Sequence, residues 1–423
     1  MGNKMAVCFF LPKKIRVKVF IRLVVLAGLC QVGVLPASAQ QKNNKDNIAF
    51  IKYTGFPDAH STWDDIGYSK QAGKVVVGVT NHVDKVMLYA YDVTTGKMTN
   101  HGSLADRGHL RPFQWQAKIH SKITEGKDGY MYFSTDGGES REEYFMEHPA
   151  GYSGGLFMKW HPGTDGFVNL GLGLPYESVK DMDIDPVSGK LFGISYPQVH
   201  FLVYDPAKNS LKDLGRLGSS HVPRVLFTDW WGNCYYVDWR QRLVKYQTAQ
   251  DTLLFARESL PAFEGTPGEK IVTGITAYAK DQKNNVIYAI TYGAKILAFY
   301  PQKEGIGRVE DLGGVADSRS NIKPWGPYVP NLNIGDNGKL YYFVGGHGNF
   351  LIENRTVMME FDPKTKKHTI LYEYPVDQLS EATGSDTKDQ FGNLYFAGRR
   401  ELDSLDHSEP FLIKFNPGKK VSR

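Results

Sequence analysis

Short runs rich in valine, isoleucine, tyrosine and phenylalanine alternate along this chain with turns built on glycine or asparagine. The turn residues stand at Gly73, Gly129, Gly189, Gly232, Asn284, Gly338 and Gly392. Their spacing of roughly 40–60 residues, with four strands of pattern in each unit, is the period of a β-propeller. The second strand of the unit reads Tyr130-Met131-Tyr132-Phe133, Val286-Ile287-Tyr288, Leu340-Tyr341-Tyr342-Phe343 and Leu394-Tyr395-Phe396. The third ends on an aromatic-Asp-Pro turn, as at Tyr204-Asp205-Pro206 and Phe361-Asp362-Pro363, and the fourth closes on Leu-Gly, as at Leu170-Gly171, Leu214-Gly215 and Leu312-Gly313. Asp and Pro start the outer turn, and Gly supplies the positive φ that such turns need. No segment sustains a helical period. The expected fold is all-β: a single seven-bladed β-propeller over residues 48–423, with four-stranded antiparallel blades. The strand around Ile48 to Lys52 is expected to close the ring against the last blade, which removes exposed sheet edges.

The first 39 residues read as a leader outside that fold. Lys13, Lys14, Arg16, Lys18 and Arg22 precede an apolar run from Leu23 to Leu35, and Ala37-Ser38-Ala39 has the small-x-small form of a cleavage site. The run is shorter than the roughly 20 apolar residues of a membrane span. Residues 40–47 are polar and read as a lead-in. The formal net charge of +5 comes largely from the leader. Without its six basic residues, which include Lys4, the chain has 44 basic against 45 acidic residues (50 less six). That balance gives no electrostatic support to nucleic-acid binding. Cys8 and Cys30 would leave with the leader, so Cys234 cannot form an internal disulfide. The expected protein is exported, periplasmic or extracellular, and monomeric, with no membrane or nucleic-acid partner.

Loops that interrupt the blade template are where binding is usually built. In this strand order, the loops between second and third strands share a face with the blade-to-blade connections. The informative stretches are Asp136 to Ser153 (with Glu142, Glu143, Tyr144 and His148), Gly345 to Phe350, and Gly398 to His407 with Arg399. Pro57 to Tyr68 is denser still in reactive side chains. Strand alternation there would put His60, Thr62 and Asp64 on one face and Ser61, Trp63 and Asp65 on the other. A histidine beside a carboxylate can be held in one tautomer and tuned for acid-base work. The alternative is a histidine that pins the N-terminal strand.

His120 falls on the inner strand of blade two, sharing a face with Lys118 and Lys122. Arg224 begins the inner strand of blade four, and Tyr196 follows the second strand of blade three. An arginine offers a bidentate clamp for a carboxylate, and a tyrosine can donate a proton. With His120 they make a uronate-binding set, although each alone is more often structural. Trp230, Trp231 and Trp239 read as blade core, and exposed tryptophans would instead stack on sugar rings. There is no His-x-x-x-His or paired-cysteine metal pattern, phosphate-cradling loop or Gly-x-Ser-x-Gly elbow. No cofactor is expected, and the axis leaves a structural cation open.

Pro57 to Tyr68, Lys118-Ile119-His120-Ser121 and Gly193-Ile194-Ser195-Tyr196-Pro197 together resemble the seven-bladed propellers of glycoside hydrolase family 145. That resemblance implies an α-L-rhamnosidase that removes rhamnose capping glucuronic acid in arabinogalactan-type glycans. It implies one key catalytic histidine, carried here onto His60. The chain is also similar to propeller lyases that act on ulvan and rhamnosyl-glucuronate linkages. A lyase would use Arg224 as clamp, His120 as base and Tyr196 as acid. Those lyases carry a second histidine soon after the first, where this chain has Thr135-Asp136-Gly137. The expected function is therefore hydrolysis at His60, with β-elimination and non-catalytic glycan binding as alternatives. The catalytic candidates are His60 and His120, and the substrate-binding candidates are Arg224, Tyr196, Asp64 and Arg399. The expected partner is an oligosaccharide or polysaccharide containing uronic acid.

Overall fold

The computed structural model describes residues 47–137, 151–217, 224–261, 274–316, 328–346, 350–404 and 407–418. The expected leader, the lead-in up to residue 46, Glu142, Glu143, Tyr144, His148 and the 347–349 stretch lie outside them. The described strands sort into seven units of four positions each. Blade one is Ile66–Ser69, Lys74–Thr80, Val86–Asp92 and Met98–Ser103; blade three is Ser178–Ile184, Leu191–Tyr196, His200–Asp205 and Ser210–Arg216. Blades four and five start at Phe227–Thr228 and Ile275–Asp281. In blade two the innermost position is split between Lys118–Ile119 and Thr124–Glu125, both paired to Met131–Asp136. Blades six and seven join into one eight-stranded sheet, because Asn331 and Leu332 pair in parallel with Gly384 and Ser385. The other five blades are separate sheets.

The core lies between the blades. Seven hydrophobic clusters each fill one interface between successive units. Val76, Leu88, Phe133 and Trp160 join blades one and two, for example, while Val77, Tyr89, Tyr395 and Leu412 join blades one and seven. That last interface closes the ring. Second strands such as Lys74–Thr80 are buried on both faces, so they read as continuous apolar runs. Outer strands such as Ser210–Arg216 are largely open to solvent. Ile48–Lys52 pairs antiparallel with His407–Phe415, so the N-terminal strand is the outermost strand of the last blade.

The repeated turns take the positive φ expected of them at Gly73, Gly129, Gly189, Gly232, Gly338 and Gly392. In blade five the left-handed residue is Asn285 (φ 52°) rather than Asn284, because Asn284 belongs to a 3-10 turn that Asp281 caps. The Leu-Gly pairs are bulges near the ends of outer strands. The carboxylate or amide oxygen at Asn169, Asp213 and Asp311 accepts the N–H of Gly171, Gly215 and Gly313 at 3.0, 2.8 and 2.8 Å. Each glycine carries a positive φ, and the pairing register slips beside it.

Candidate functional site

The innermost strands meet around an axis filled by paired charges. Asp183 Oδ2 accepts Lys280 Nζ at 3.0 Å, the Thr228 N–H at 2.9 Å and Thr228 Oγ1 at 2.8 Å. The Lys280 N–H donates to Asp386 Oδ1 at 3.1 Å. Lys122 Nζ donates to the carbonyls of Ser385 and of Asp386, the latter at 3.0 Å. Blades two, three, four, five and seven are thereby tied across the ring. Burial works to raise the Asp183 pKa, but Lys280 and Thr228 outweigh it and hold the carboxyl below its ordinary range. Two lysine ammoniums thus supply positive charge where the axis had left a structural cation open. Among the described residues there is no cluster of three or more His, Cys, Asp or Glu placed to hold a metal.

Above this plug, on the face of the blade-to-blade connections, polar side chains from all seven blades converge. Trp63 is the hub. The His82 ring stacks on it at 5.1 Å and the His120 ring at 6.2 Å, with Lys118 Nζ 4.8 Å and the Arg399 guanidinium 5.7 Å from its centroid. His60 stacks on the far side of His82 at 5.5 Å. Lys180, on the inner strand of blade three, places Nζ 4.2 Å from the centre of the Tyr196 ring. The Arg224 guanidinium lies 4.8 Å from the centre of the Tyr328 ring, which stacks on Tyr292.

Burial governs the ionisation here, and cations add to it. Burial, then Lys118, Arg224 and Lys180, hold the His120 pKa well below the ordinary imidazole value. Burial, then Lys118, His60 and Arg399, bring His82 down to about 3. Both rings are therefore neutral at physiological pH. Burial pushes Asp64 up to about 6 against the pull of Arg224 and Lys122, and it raises Asp181 well above the carboxylate range. Burial opposes the charge of Arg224, but Tyr328, Tyr292 and Asp64 outweigh it and keep the guanidinium protonated. Lys118, Lys180, Arg224 and Arg399 give this cluster a positive surplus over Asp136, Glu381 and the raised Asp64.

Several expectations need correction. Pro57 to Asp65 is not a regular strand. Ser61 forms one bridge to Thr80, and Asp64 has a φ of 68°, so strict alternation of faces does not hold. His60 Nδ1 sits 3.0 Å from Ser61 Oγ, whereas Asp64 is turned towards Arg224 and Lys122, so the expected His60–Asp64 pairing is not formed. Ser408 of the last blade donates to the main-chain carbonyl of His60 at 2.7 Å, a bond that does not involve the imidazole. Arg224 precedes its inner strand rather than starting it. Lys122 turns down into the axis and parts company with Lys118 and His120. Arg399 is not a free arm, since Nε and Nη2 lie 3.0 and 2.7 Å from Glu381 Oε2. Trp231 and Trp239 are 37% and 63% exposed, so they are not blade core.

Among the residues of the site that escaped sequence reasoning are His82 and Lys180. Tyr196 ends the second strand of blade three rather than following it, and His82 lies two residues past the corresponding strand of blade one, where a search of the rim loops would have found it. Lys180 belongs to Ser178–Ile184, a wholly buried strand with three charged residues, Lys180, Asp181 and Asp183. Such a strand cannot be ordinary core.

No family model matches the chain, and no curated protein matches it. Solved structures do resemble it in fold. The extracellular domain of the hybrid two component system BT4673 from B. thetaiotaomicron aligns over 86% of the chain with a TM-score of 0.53 at 12% identity. The chain covers 39% of that protein. The RRP9 WD40 repeats align over 88% at TM-score 0.53 and 9% identity, and U3-55K over 88% at TM-score 0.55 and 10% identity. At these identities the likeness concerns the fold, and what it establishes is that the chain is a β-propeller of four-stranded antiparallel blades.

Proposed function

We propose that the rim pocket binds a glycan at a uronic acid and cleaves the linkage beside it by β-elimination. The observation that carries this reading is a neutral, buried His120 set among Lys118, Lys180 and Arg224, with Tyr196 alongside. Elimination needs a base that is unprotonated at neutral pH and a positive field for the charge that develops on the carboxylate. His120 removes the proton on C5 of the uronate, and the electron pair forms the C4–C5 double bond. The C4–O bond breaks, and Tyr196 protonates the departing oxygen. With rhamnose as the leaving sugar, the products are free rhamnose and an unsaturated uronate. The resemblance to propeller lyases and rhamnosidases supports the same substrate class.

Hydrolysis at His60 is the second reading. It is favoured by the position of His60 at the half-buried outer end of the aromatic stack. Export belongs to the proposal too, on the strength of the basic and apolar leader in residues 1–39. Among the described residues, no helix is long and apolar enough to cross a membrane.

The test is to incubate the mature protein with a rhamnosyl-glucuronate oligosaccharide and follow unsaturated-uronate absorbance and free rhamnose together. Elimination gives both signals. Rhamnose without absorbance moves the chemistry to hydrolysis, and neither signal leaves a glycan-binding propeller.

A further inference from the structure

Resting on the uronate reading above, we infer that Lys180 is the carboxylate receptor of the rim pocket and that the ligand supplies its missing counter-ion. The backbone sets this up. Val179 enters the core between blades two and three, while Asp181 accepts the Leu226 N–H at 2.8 Å. A register shift separates these two neighbours, and the bulge sends the intervening Lys180 side chain towards the rim. Lys180 is only 6% exposed. Its ammonium lies against the Tyr196 ring and has no hydrogen-bond or ion-pair partner among the described residues.

Three neighbouring cations already have a carboxylate. Lys118 is 3.9 Å from Asp136, Arg399 is held by Glu381 at 2.7 Å, and Lys280 is held by Asp183 at 3.0 Å. Arg224, the clamp expected from sequence, bonds Tyr292 and lies over the Tyr328 ring, with its buried Nε still open to assist Lys180 at a carboxylate. Withdrawing an ammonium from water without a counter-charge is costly; the group either gives up its proton or takes an incoming anion as partner. The Tyr196 ring beside it suits the flat apolar side of a pyranose better than a bare inorganic anion. A sugar carboxylate satisfies both neighbours at once.

The groups facing Lys180 set its response to pH. Burial, then Arg224 and Lys118, lower its pKa to about 7 against the pull of Asp136 and Asp181. Uncharged His120 lies near it. An arriving carboxylate restores the charged form, so binding above neutrality takes up a proton.

The experiment is isothermal titration of the intact protein with glucuronate, and with glucose as control, slightly above neutral pH in two buffers of different ionisation heat. Lys180→Met and Lys180→Arg are titrated alongside. Glucuronate should bind in preference to glucose, with a buffer-dependent heat that reports proton uptake. Lys180→Met should weaken it by about tenfold or more and abolish the proton uptake. Lys180→Arg should bind without proton uptake, since guanidinium stays charged; that variant carries the test if the methionine variant does not fold. Glucuronate binding to the wild type without proton uptake, at an affinity unchanged in Lys180→Met, overturns the role of Lys180 and leaves the uronate reading intact. If the wild type does not bind glucuronate, the uronate reading itself fails.

Discussion

The axis and the rim of this ring are built from the same inner strands, and both bury charge, yet they treat it in opposite ways. At the axis, Lys280 and Asp183 are matched, and Lys122 is saturated by carbonyls. At the rim, among the described residues, Lys180 has only an aromatic face, and Asp64 Oδ1 is buried without a hydrogen-bond partner. One strand, Ser178–Ile184, supplies both kinds, with Lys180 and Asp183 three positions apart. Matched buried charges tie the blades together. Unmatched ones have a reason to persist only if something else completes them.

The sharpest break in this comparison comes from chemistry at the rim. His120→Ala should lower turnover of a rhamnosyl-glucuronate substrate by about 10²–10⁴-fold, the usual contribution of a general base. His60→Ala should leave most of it, and the opposite ranking in steady-state kinetics would move the reaction to His60. Next comes the axis. Asp183→Ala strands the Lys280 ammonium and should cost about 3–5 kcal/mol of stability in urea unfolding. A loss too small to resolve would mean that the plug does not hold the ring.

Smaller effects appear in stability against pH. The folded-state pKa of Lys180 is lowered from 10.5 to about 7, so the unfolded chain holds that proton more tightly. Stability should therefore rise as pH climbs from about 7 towards 10.5, and Lys180→Met should flatten that rise in pH-dependent melts. Asp64 gives the opposite slope over a different window. Its pKa is raised from 3.8 to about 6, so its contribution is present at low pH and is lost as pH rises through that interval. Asp64→Asn should remove that decline and leave the alkaline behaviour alone.

Much of the ring was legible because its signals are local. Alternating apolar runs, left-handed turn glycines and the closing strand at Ile48–Lys52 each follow from backbone and packing rules that act within a few residues. The Asn284 to Asn285 correction shows the limit, since a side-chain cap from Asp281 moved the turn by one position. The candidate cluster was legible only by residue type. His120, Tyr196, Arg224, Arg399 and Asp64 do converge on one face, but partners far apart in sequence decide what each can do. Arg399 is neutralised by Glu381, and Asp64 faces Arg224 instead of His60. Lys180 was hidden by its strand, where a charged residue looks like an interruption of core.

The most direct measurement compares Lys180→Met with Lys280→Met, reading both urea stability and glucuronate affinity for each. The effects should cross: Lys280→Met loses stability and, where still folded, keeps its affinity, while Lys180→Met keeps or gains stability and loses affinity. Equal stability losses with unchanged affinity in both would contradict that crossing.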